Sequence, residues 1–139
     1  MVRINVYLTF NENCREAMLF YKECLGGKLS LQTIGESPMG EKMPVQLKQY
    51  ILHSTLRKGA LLLIGSDMVC EQGLTKGNAV SLSLDCSSEK EIRTCYANLS
   101  AGGQTTYPLE QTFWGTLFGS LTDKFGNHWL LNYTKLKKQ

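Results

Sequence analysis

The residues best suited to chemistry are concentrated in the stretch TFWGTLFGSLTDKFGNHWLLN, residues 112–132. Its Asp123 and His128 are of the types that bind a metal or transfer protons. In TDKFGN, however, Asp123 precedes Gly126 by three residues, which is typical of a hairpin turn whose carboxylate accepts backbone hydrogen bonds. His128 and Trp129 then follow as neighbours in a strand and point to opposite faces. We therefore interpret this stretch as two strands around a turn, with Trp129 in the core.

His53 and Trp114 are the two strongest candidates for contacting a ligand. The chain has two histidines, and His53 lies within a predicted strand, in phase with Gln49. It is either a hydrogen-bonding group or base in a pocket, or a histidine whose bonds are satisfied within the sheet. Trp114, at the start of a predicted strand, is either an aromatic wall for a flat or apolar ligand or a residue that packs in the core or a dimer. No spacing indicates that the histidines converge with an aspartate on a metal.

The cysteines indicate structural rather than redox roles. They are odd in number and form no C-x-x-C motif, and they are Cys14, Cys24, Cys70, Cys86 and Cys95. We expect reduced, buried thiols. Cys70, in the loop MVCEQG, is the one whose reactivity is worth testing.

Composition and charge exclude several classes of protein. The 139 residues, with 42% hydrophobic and 19% charged side chains, predict a single globular domain. The net charge of +3 is matched by three lysines near the C-terminus, so no basic face for nucleic acid is indicated. No stretch reaches the roughly 20 apolar residues of a membrane span. Because MVRINVYLTF lacks a signal-peptide pattern, we expect a cytoplasmic protein.

Elements that would position these residues occur twice along the chain. Residues 2–10 alternate as a strand, and residues 14–25 carry one apolar helical stripe that ends at Gly26 and Gly27. Asn13 with Glu16 is an asparagine variant of a helix-capping pair. Further strands are predicted in the segments KLSLQTI, VQLKQYILHSTL and ALLLIGS.

The second copy begins with NAVSLSLDC as a strand, followed by a helix that starts with the capping box of Ser88 and Glu91. QTTYPL and the two strands of residues 112–132 complete it. The repeat predicts an α+β fold of two βαβββ modules. We expect one domain over residues 1–139, with module one at 1–66, a linker at 67–77, module two at 78–134 and a basic tail at 135–139.

With this repeat the chain resembles the vicinal oxygen chelate superfamily of glyoxalases, bleomycin-resistance proteins and extradiol dioxygenases, and within it the PhnB-like branch. The resemblance is carried by YLTFNENCREAMLFYKECLGGKL, HSTLRKGALLLIGSD and QTFWGTLFGSLTDKFGNHWLLN. It implies paired, curled mixed sheets around a pocket, and commonly a homodimer. Metalloenzymes of the superfamily hold a divalent metal on His, Glu or Gln side chains that face the pocket. The matching segment in members of the resembling family also carries a histidine at the position of His53.

The positions that match the metal ligands of the superfamily carry unsuitable side chains here. They fall at about Val6, within Leu61–Ile64, at about Ala79 and at Leu130. A shift by one residue at the first position gives Tyr7, which is no better a ligand for a divalent ion. We therefore expect no metal and no other cofactor, since no glycine-rich nucleotide-binding turn occurs either.

The leading hypothesis is a PhnB-like protein that binds a small molecule in its cup without metal, with the ligand contacted by His53, Trp114, Tyr7 and Gln49. The alternative is a lyase- or isomerase-like enzyme of the same fold that uses His53 or a non-standard metal site. A third possibility is a cup filled by its own side chains, with the function at a dimer surface. The sequence names neither a substrate nor a reaction.

Overall fold

Two successive β-α-β-β-β patterns build the protein in the computed structural model, which describes residues 1–68 and 73–135. The first pattern comprises β1 (Val6–Phe10), α1 (Cys14–Leu25), β2 (Lys28–Thr33), β3 (Ile51–Lys58) and β4 (Leu61–Asp67). The second comprises β5 (Leu82–Asp85), α2 (Glu89–Ser100), β6 (Gln104–Gln111), β7 (Thr116–Thr122) and β8 (His128–Thr134). The α+β class and the two repeated modules are therefore confirmed.

The chain divides into two compact units, with the boundary between Thr75 and Lys76. We call them the first and second unit. Each unit contains one four-stranded mixed sheet, in the orders β1-β4-β3-β2 and β5-β8-β7-β6. In each sheet the first strand pairs in parallel with the last, and the other neighbours are antiparallel. The single-domain organisation and the linker boundaries stay predictions.

Helix α1 packs on one face of the first sheet along the apolar stripe expected from the sequence. Its buried residues are Cys14, Ala17, Met18, Tyr21, Cys24 and Leu25. The sheet meets this stripe with buried side chains of β3 and β4, among them Leu56 and Leu63. Gly65 allows a close approach of α1 to the sheet, because a Cβ there would lie 3.1 Å from the Met18 sulfur. Burial of these side chains is the main stabilisation of the unit.

The two helices are capped in different ways. In α2, Ser88 Oγ accepts a 3.0 Å hydrogen bond from the Glu91 amide, as predicted. In α1 the expected cap by Asn13 is wrong, because its side chain makes no capping bond. Instead Asp67, at the end of β4, accepts 2.8 Å hydrogen bonds from the amides of Cys14 and Ile51. The amide of Cys14, in the first turn of α1, therefore has its hydrogen-bond acceptor in a residue 53 positions away in the sequence.

Three predicted strands are shorter in the structure. The third was expected from residue 45, but Val45–Leu47 forms a 3-10 turn after Pro44, and β3 begins at Ile51. β1 begins at Val6 rather than at residue 2. β5 begins at Leu82 rather than near residue 78. Since β8 begins at His128 and pairs Trp129 with Leu82, the residues before β5 have no ladder to extend.

The turn between β7 and β8 is built as the sequence predicts. Asp123 Oδ1 accepts hydrogen bonds of 2.8 Å and 3.1 Å from the amides of Phe125 and Asn127. Gly126 has φ of 87°, a region that favours glycine. The other carboxylate oxygen, Oδ2, accepts a 2.8 Å bond from the Trp129 indole. Asp123 and Trp129 are each only 2% exposed, so the turn is tied into the core of the second unit.

Candidate functional site

The face of the first sheet turned away from α1 carries most of its polar side chains. Residues that are direct partners in a sheet share a face, so the buried Ser54, Leu56 and Leu63 mark the helix side. We call the opposite side the open face of the first sheet. By register it carries Tyr7, Thr9, Lys28, Ser30, Gln32, His53, Thr55, Arg57, Leu62, Ile64 and Ser66.

Tyr7 and His53, both predicted to contact a ligand, lie on this open face. The Tyr7 hydroxyl and Ser66 Oγ are 2.7 Å apart and hydrogen-bonded. Because Ser54 pairs with Gly65, the preceding His53 lies at the level of Ser66 on the neighbouring strand. His53 also pairs with Gln32 of β2. The open face therefore holds a group of polar side chains that can form hydrogen bonds and that come from all four strands.

The ring of His53 is exposed, and it makes no side-chain hydrogen bond within the described part of the chain. The alternative expectation, that neighbouring groups of the sheet form hydrogen bonds with both ring nitrogens of His53, is therefore wrong for the described residues. An exposed imidazole on a sheet can donate or accept a hydrogen bond with an incoming molecule. Ser66 was not identified as a candidate from the sequence, because its hydrogen bond to Tyr7 joins residues 59 positions apart.

Gln49 lies elsewhere in the first unit. It precedes β3 and lines an open cleft of about 450 Å3 at the start of α1. The other residues that line this cleft are Glu12, Asn13, Arg15, Glu16, Tyr50 and Asp67. The expectation that Gln49 is in phase with His53 along one strand is wrong, since the chain turns at residues 45–50 before β3 begins.

Trp114 belongs to the second unit and lies in the loop between β6 and β7, two residues before the strand. It is 61% exposed, and its ring packs edge-on against Phe113 at a centroid distance of 4.8 Å. The loop is held by Thr112, whose amide donates to the Thr116 carbonyl at 2.8 Å. Trp114 is thus presented to solvent on an ordered turn rather than packed in the core of its unit.

His128 has a structural role in the second unit. Its Nδ1 lies 2.9 Å from Thr122 Oγ1 and its Nε2 lies 3.1 Å from the Gly77 carbonyl oxygen. Both ring nitrogens therefore have partners, and the ring ties the segment before β5 to the last hairpin. Trp129 points to the opposite side, as predicted, so the two residues cannot form one site.

The corresponding open face of the second sheet has a different character. Asp85 and Glu110 lie on it, opposite Asn132 and Phe118 respectively. Phe118 packs edge-on against Tyr107 at 5.8 Å between ring centroids. This face is therefore acidic and aromatic, whereas the first open face has no carboxylate by register.

The cysteines in the described residues are structural, as expected. Cys14, Cys24, Cys86 and Cys95 are buried thiols that take part in no disulfide bond. Burial raises the pKa of the Cys14 thiol to about 12. A hydrogen bond with Cys95, followed by burial, raises the pKa of the Cys86 thiol. The thiols of Cys14 and Cys86 therefore stay protonated near neutral pH and are poor nucleophiles. Cys70 lies outside the described residues.

The residues present do not fit the divalent metal of the superfamily's metalloenzymes. Among residues 1–68 and 73–135, no group of three or more His, Cys, Asp or Glu side chains could hold an ion. Leu130 occupies the position that matches the last metal ligand of those enzymes, and its aliphatic side chain has no atom that could bind a metal.

Comparison with known proteins identifies the family. The family described as 3-demethylubiquinone-9 3-methyltransferase matches residues 2–132. The chain belongs to this family. It is 30% identical over 145 residues to protein YjdN of Escherichia coli K12, and 95% of each chain is covered. The match to this family confirms the PhnB-like resemblance.

Several solved structures have the same fold as this chain. Protein PA1353 from Pseudomonas aeruginosa superposes with a TM-score of 0.85 at 36% identity, over 96% of this chain and 98% of that one. A putative 3-demethylubiquinone-9 3-methyltransferase, PhnB protein, from Bacillus cereus gives 0.76 at 24% identity, over 96% and 100%. A glyoxalase/bleomycin resistance protein/dioxygenase from Nocardioides gives 0.59 at 17%, over 100% and 88%.

No helix in the described residues has the length and apolar character needed to cross a membrane.

Proposed function

We propose that this member of the PhnB-like family binds a small molecule on the open face of the first sheet, without metal. The observation that carries the proposal is the hydrogen-bonded Tyr7–Ser66 pair, at 2.7 Å, beside the exposed His53. The hydroxyl groups are already oriented by each other, and the imidazole has bonding capacity left for a ligand. The aliphatic Ile64, directly opposite Tyr7, adds apolar surface next to them.

The enzymatic alternative, with His53 as a proton-transfer group, has less support. A catalytic imidazole is usually oriented by a hydrogen bond from its second nitrogen. No such partner of His53 occurs in the described residues, and the open face carries no carboxylate by register. Binding alone requires neither feature.

Methyl transfer, which the family's description names, is not proposed for this chain. Such a reaction needs a methyl donor, and nucleotide-like cofactors are typically held where a glycine-rich turn joins a strand to a helix. The connections from β1 to α1 and from β5 to α2 are residues 11–13 and 86–88, and neither contains glycine. The residues therefore do not fit that type of cofactor site.

A fragment screen observed by two-dimensional 1H–15N NMR tests the proposal. We expect fragments that hydrogen-bond to hydroxyl and imidazole groups to shift the amide signals of β1, β3 and β4 around Tyr7, His53 and Ser66. The variants Tyr7→Phe and His53→Ala should each weaken the best fragment roughly 3- to 10-fold, since each removes about one hydrogen bond.

The matched control is Tyr107→Phe, which removes a hydroxyl from another exposed tyrosine, in the second unit. It should leave the affinity unchanged. Fragments that shift only signals elsewhere, or that bind Tyr7→Phe and His53→Ala as tightly as the wild type, would refute the proposal.

A Trp114→Ala variant in the same titration tests the predicted aromatic wall, and light scattering of the purified protein tests the predicted homodimer.

A further inference from the structure

Two cations lie side by side at one end of the open face of the first sheet. Lys28 of β2 and Arg57 of β3 are direct partners in the antiparallel ladder, and both are exposed. Like charges directly opposite each other on neighbouring strands repel. A pair of this kind needs either a neutralising neighbour or another reason to be present.

No neutralising neighbour is found in the described part of the chain. Neither cation forms a salt bridge or a side-chain hydrogen bond with a described residue, and no Asp or Glu shares the open face by register. The adjacent Lys58 differs, because its Nζ donates a 3.1 Å bond to the Leu25 carbonyl at the end of α1. Its charge stabilises a helix terminus, whereas those of Lys28 and Arg57 have no such use within the unit.

The rest of the open face suggests how a ligand would extend from this pair. The next row along the strands pairs Ser30 with Thr55, and the row after that pairs Gln32 with His53. At a rise of roughly 3.4 Å per residue, the four steps along the strand from the first row to the third span about 14 Å. The long side chains of the two cations shorten the gap that a ligand must bridge.

We propose that the small molecule bound on the open face carries an oxyanion, either a carboxylate or a phosphate group, which Lys28 and Arg57 hold. This inference rests on the proposed function and specifies the chemical class of its ligand. The guanidinium of Arg57 offers paired donors that match two oxyanion oxygens, and the Lys28 ammonium adds a point charge. The remainder of the ligand then reaches the hydroxyl and imidazole groups of Tyr7 and His53.

The test is a pair of NMR titrations of the full chain, with inorganic phosphate and with acetate, at ionic strength held constant with sodium chloride. We expect both anions to shift the Arg57 Nε–H signal and the amide signals of residues 28–30 and 55–57. A larger effect of phosphate identifies a phosphate group, and a larger effect of acetate identifies a carboxylate.

The double variant Lys28→Gln/Arg57→Gln should weaken binding of the preferred anion roughly tenfold or more, because charge-assisted hydrogen bonds are lost. The matched control is Lys42→Gln/Lys90→Gln, which removes the same charge from two exposed lysines elsewhere. It should change the affinity less than twofold. Equal binding by wild type and Lys28→Gln/Arg57→Gln, or equal shifts with chloride alone, would overturn the inference.

The outcome can be separated from that of the fragment screen. Neutral fragments that bind near His53 equally well in the wild type and in Lys28→Gln/Arg57→Gln, without any shift by phosphate or acetate, would overturn the oxyanion inference and leave the proposed function intact. Anion binding at Lys28 and Arg57 with no fragment bound near His53 would support the oxyanion site. It would contradict the proposal that a ligand binds around Tyr7, His53 and Ser66.

Discussion

The open faces of the two sheets differ although the same order of elements builds both. The first carries Lys28 and Arg57 with no carboxylate, and the second carries Asp85 and Glu110 beside aromatic rings. The helix-facing sides, in contrast, are both buried and mainly apolar, with Ser54 as a buried polar residue in the first. The buried side toward the helix is therefore what the two modules share, whereas the charge of the open face differs between them.

The two units also place a carboxylate at different structural positions. In the first unit Asp67 joins the start of α1 to the start of β3 through two backbone amides. In the second unit Asp123 closes the last hairpin through two amides and the indole of Trp129. Asp123 is buried and Asp67 is half-buried, so we expect the second unit to depend more strongly on its carboxylate.

Replacing Asp123 with alanine should give the largest loss of stability. It removes a buried carboxylate that accepts three hydrogen bonds, one of them from the buried indole of Trp129, and donors left without partners are costly. We expect the free energy of unfolding, measured by urea denaturation, to fall by about 3–5 kcal/mol. A loss below that caused by Asp67→Ala would contradict the comparison.

If Asp123→Ala does not fold, a milder pair of variants makes the same test. Asp123→Asn retains an oxygen for the amides of Phe125 and Asn127, but places an NH2 group against the indole N–H. The cost of Asp123→Asn should therefore be smaller in a Trp129→Phe background than in the wild type. Equal costs in the two backgrounds would show that the indole bond contributes nothing.

Asp67→Ala should have the second largest effect, about 2 kcal/mol, because two backbone amides lose their acceptor at a site that water can partly reach. Hydrogen exchange of the Cys14 and Ile51 amides provides the direct measurement, and both should exchange faster. Unchanged exchange of these two amides in Asp67→Ala would contradict the role given to Asp67 as their hydrogen-bond acceptor. Asp85→Ala is a suitable control, since Asp85 is exposed.

Much of the fold could be predicted because its determinants are local. The period of 3.6 in residues 14–25 identifies the stripe of α1, and Asp123 with Gly126 identifies the last turn. The segment VQLKQY misled because it alternates like a strand, while Pro44 and the 3-10 turn that follows it set the backbone path. Alternation alone does not report whether a neighbouring strand is available for pairing.

The candidate site was predicted only in part, because its contacts are not local. His53 and Tyr7 could be proposed from their residue types and from the resemblance to the superfamily. The bond from Tyr7 to Ser66 and the pairing of Lys28 with Arg57 depend on register, which the sequence pattern does not fix across 59 and 29 residues respectively. Gln49 was misplaced for the same reason that the third strand was.

The helix caps give the smallest effect and the most direct contrast between local and distant determinants. Ser88→Ala should lower the free energy of unfolding by about 1 kcal/mol, because Ser88 Oγ accepts the Glu91 amide at the start of α2. Asn13→Ala should change it by less than about 0.5 kcal/mol, since the side chain of Asn13 makes no capping bond and Asp67 serves α1 instead. Both variants can be compared by urea denaturation in one experiment. Equal losses would mean that Asn13 caps α1 in solution, and the contrast between a helix capped by its own neighbour and one capped from a distant strand would then fail.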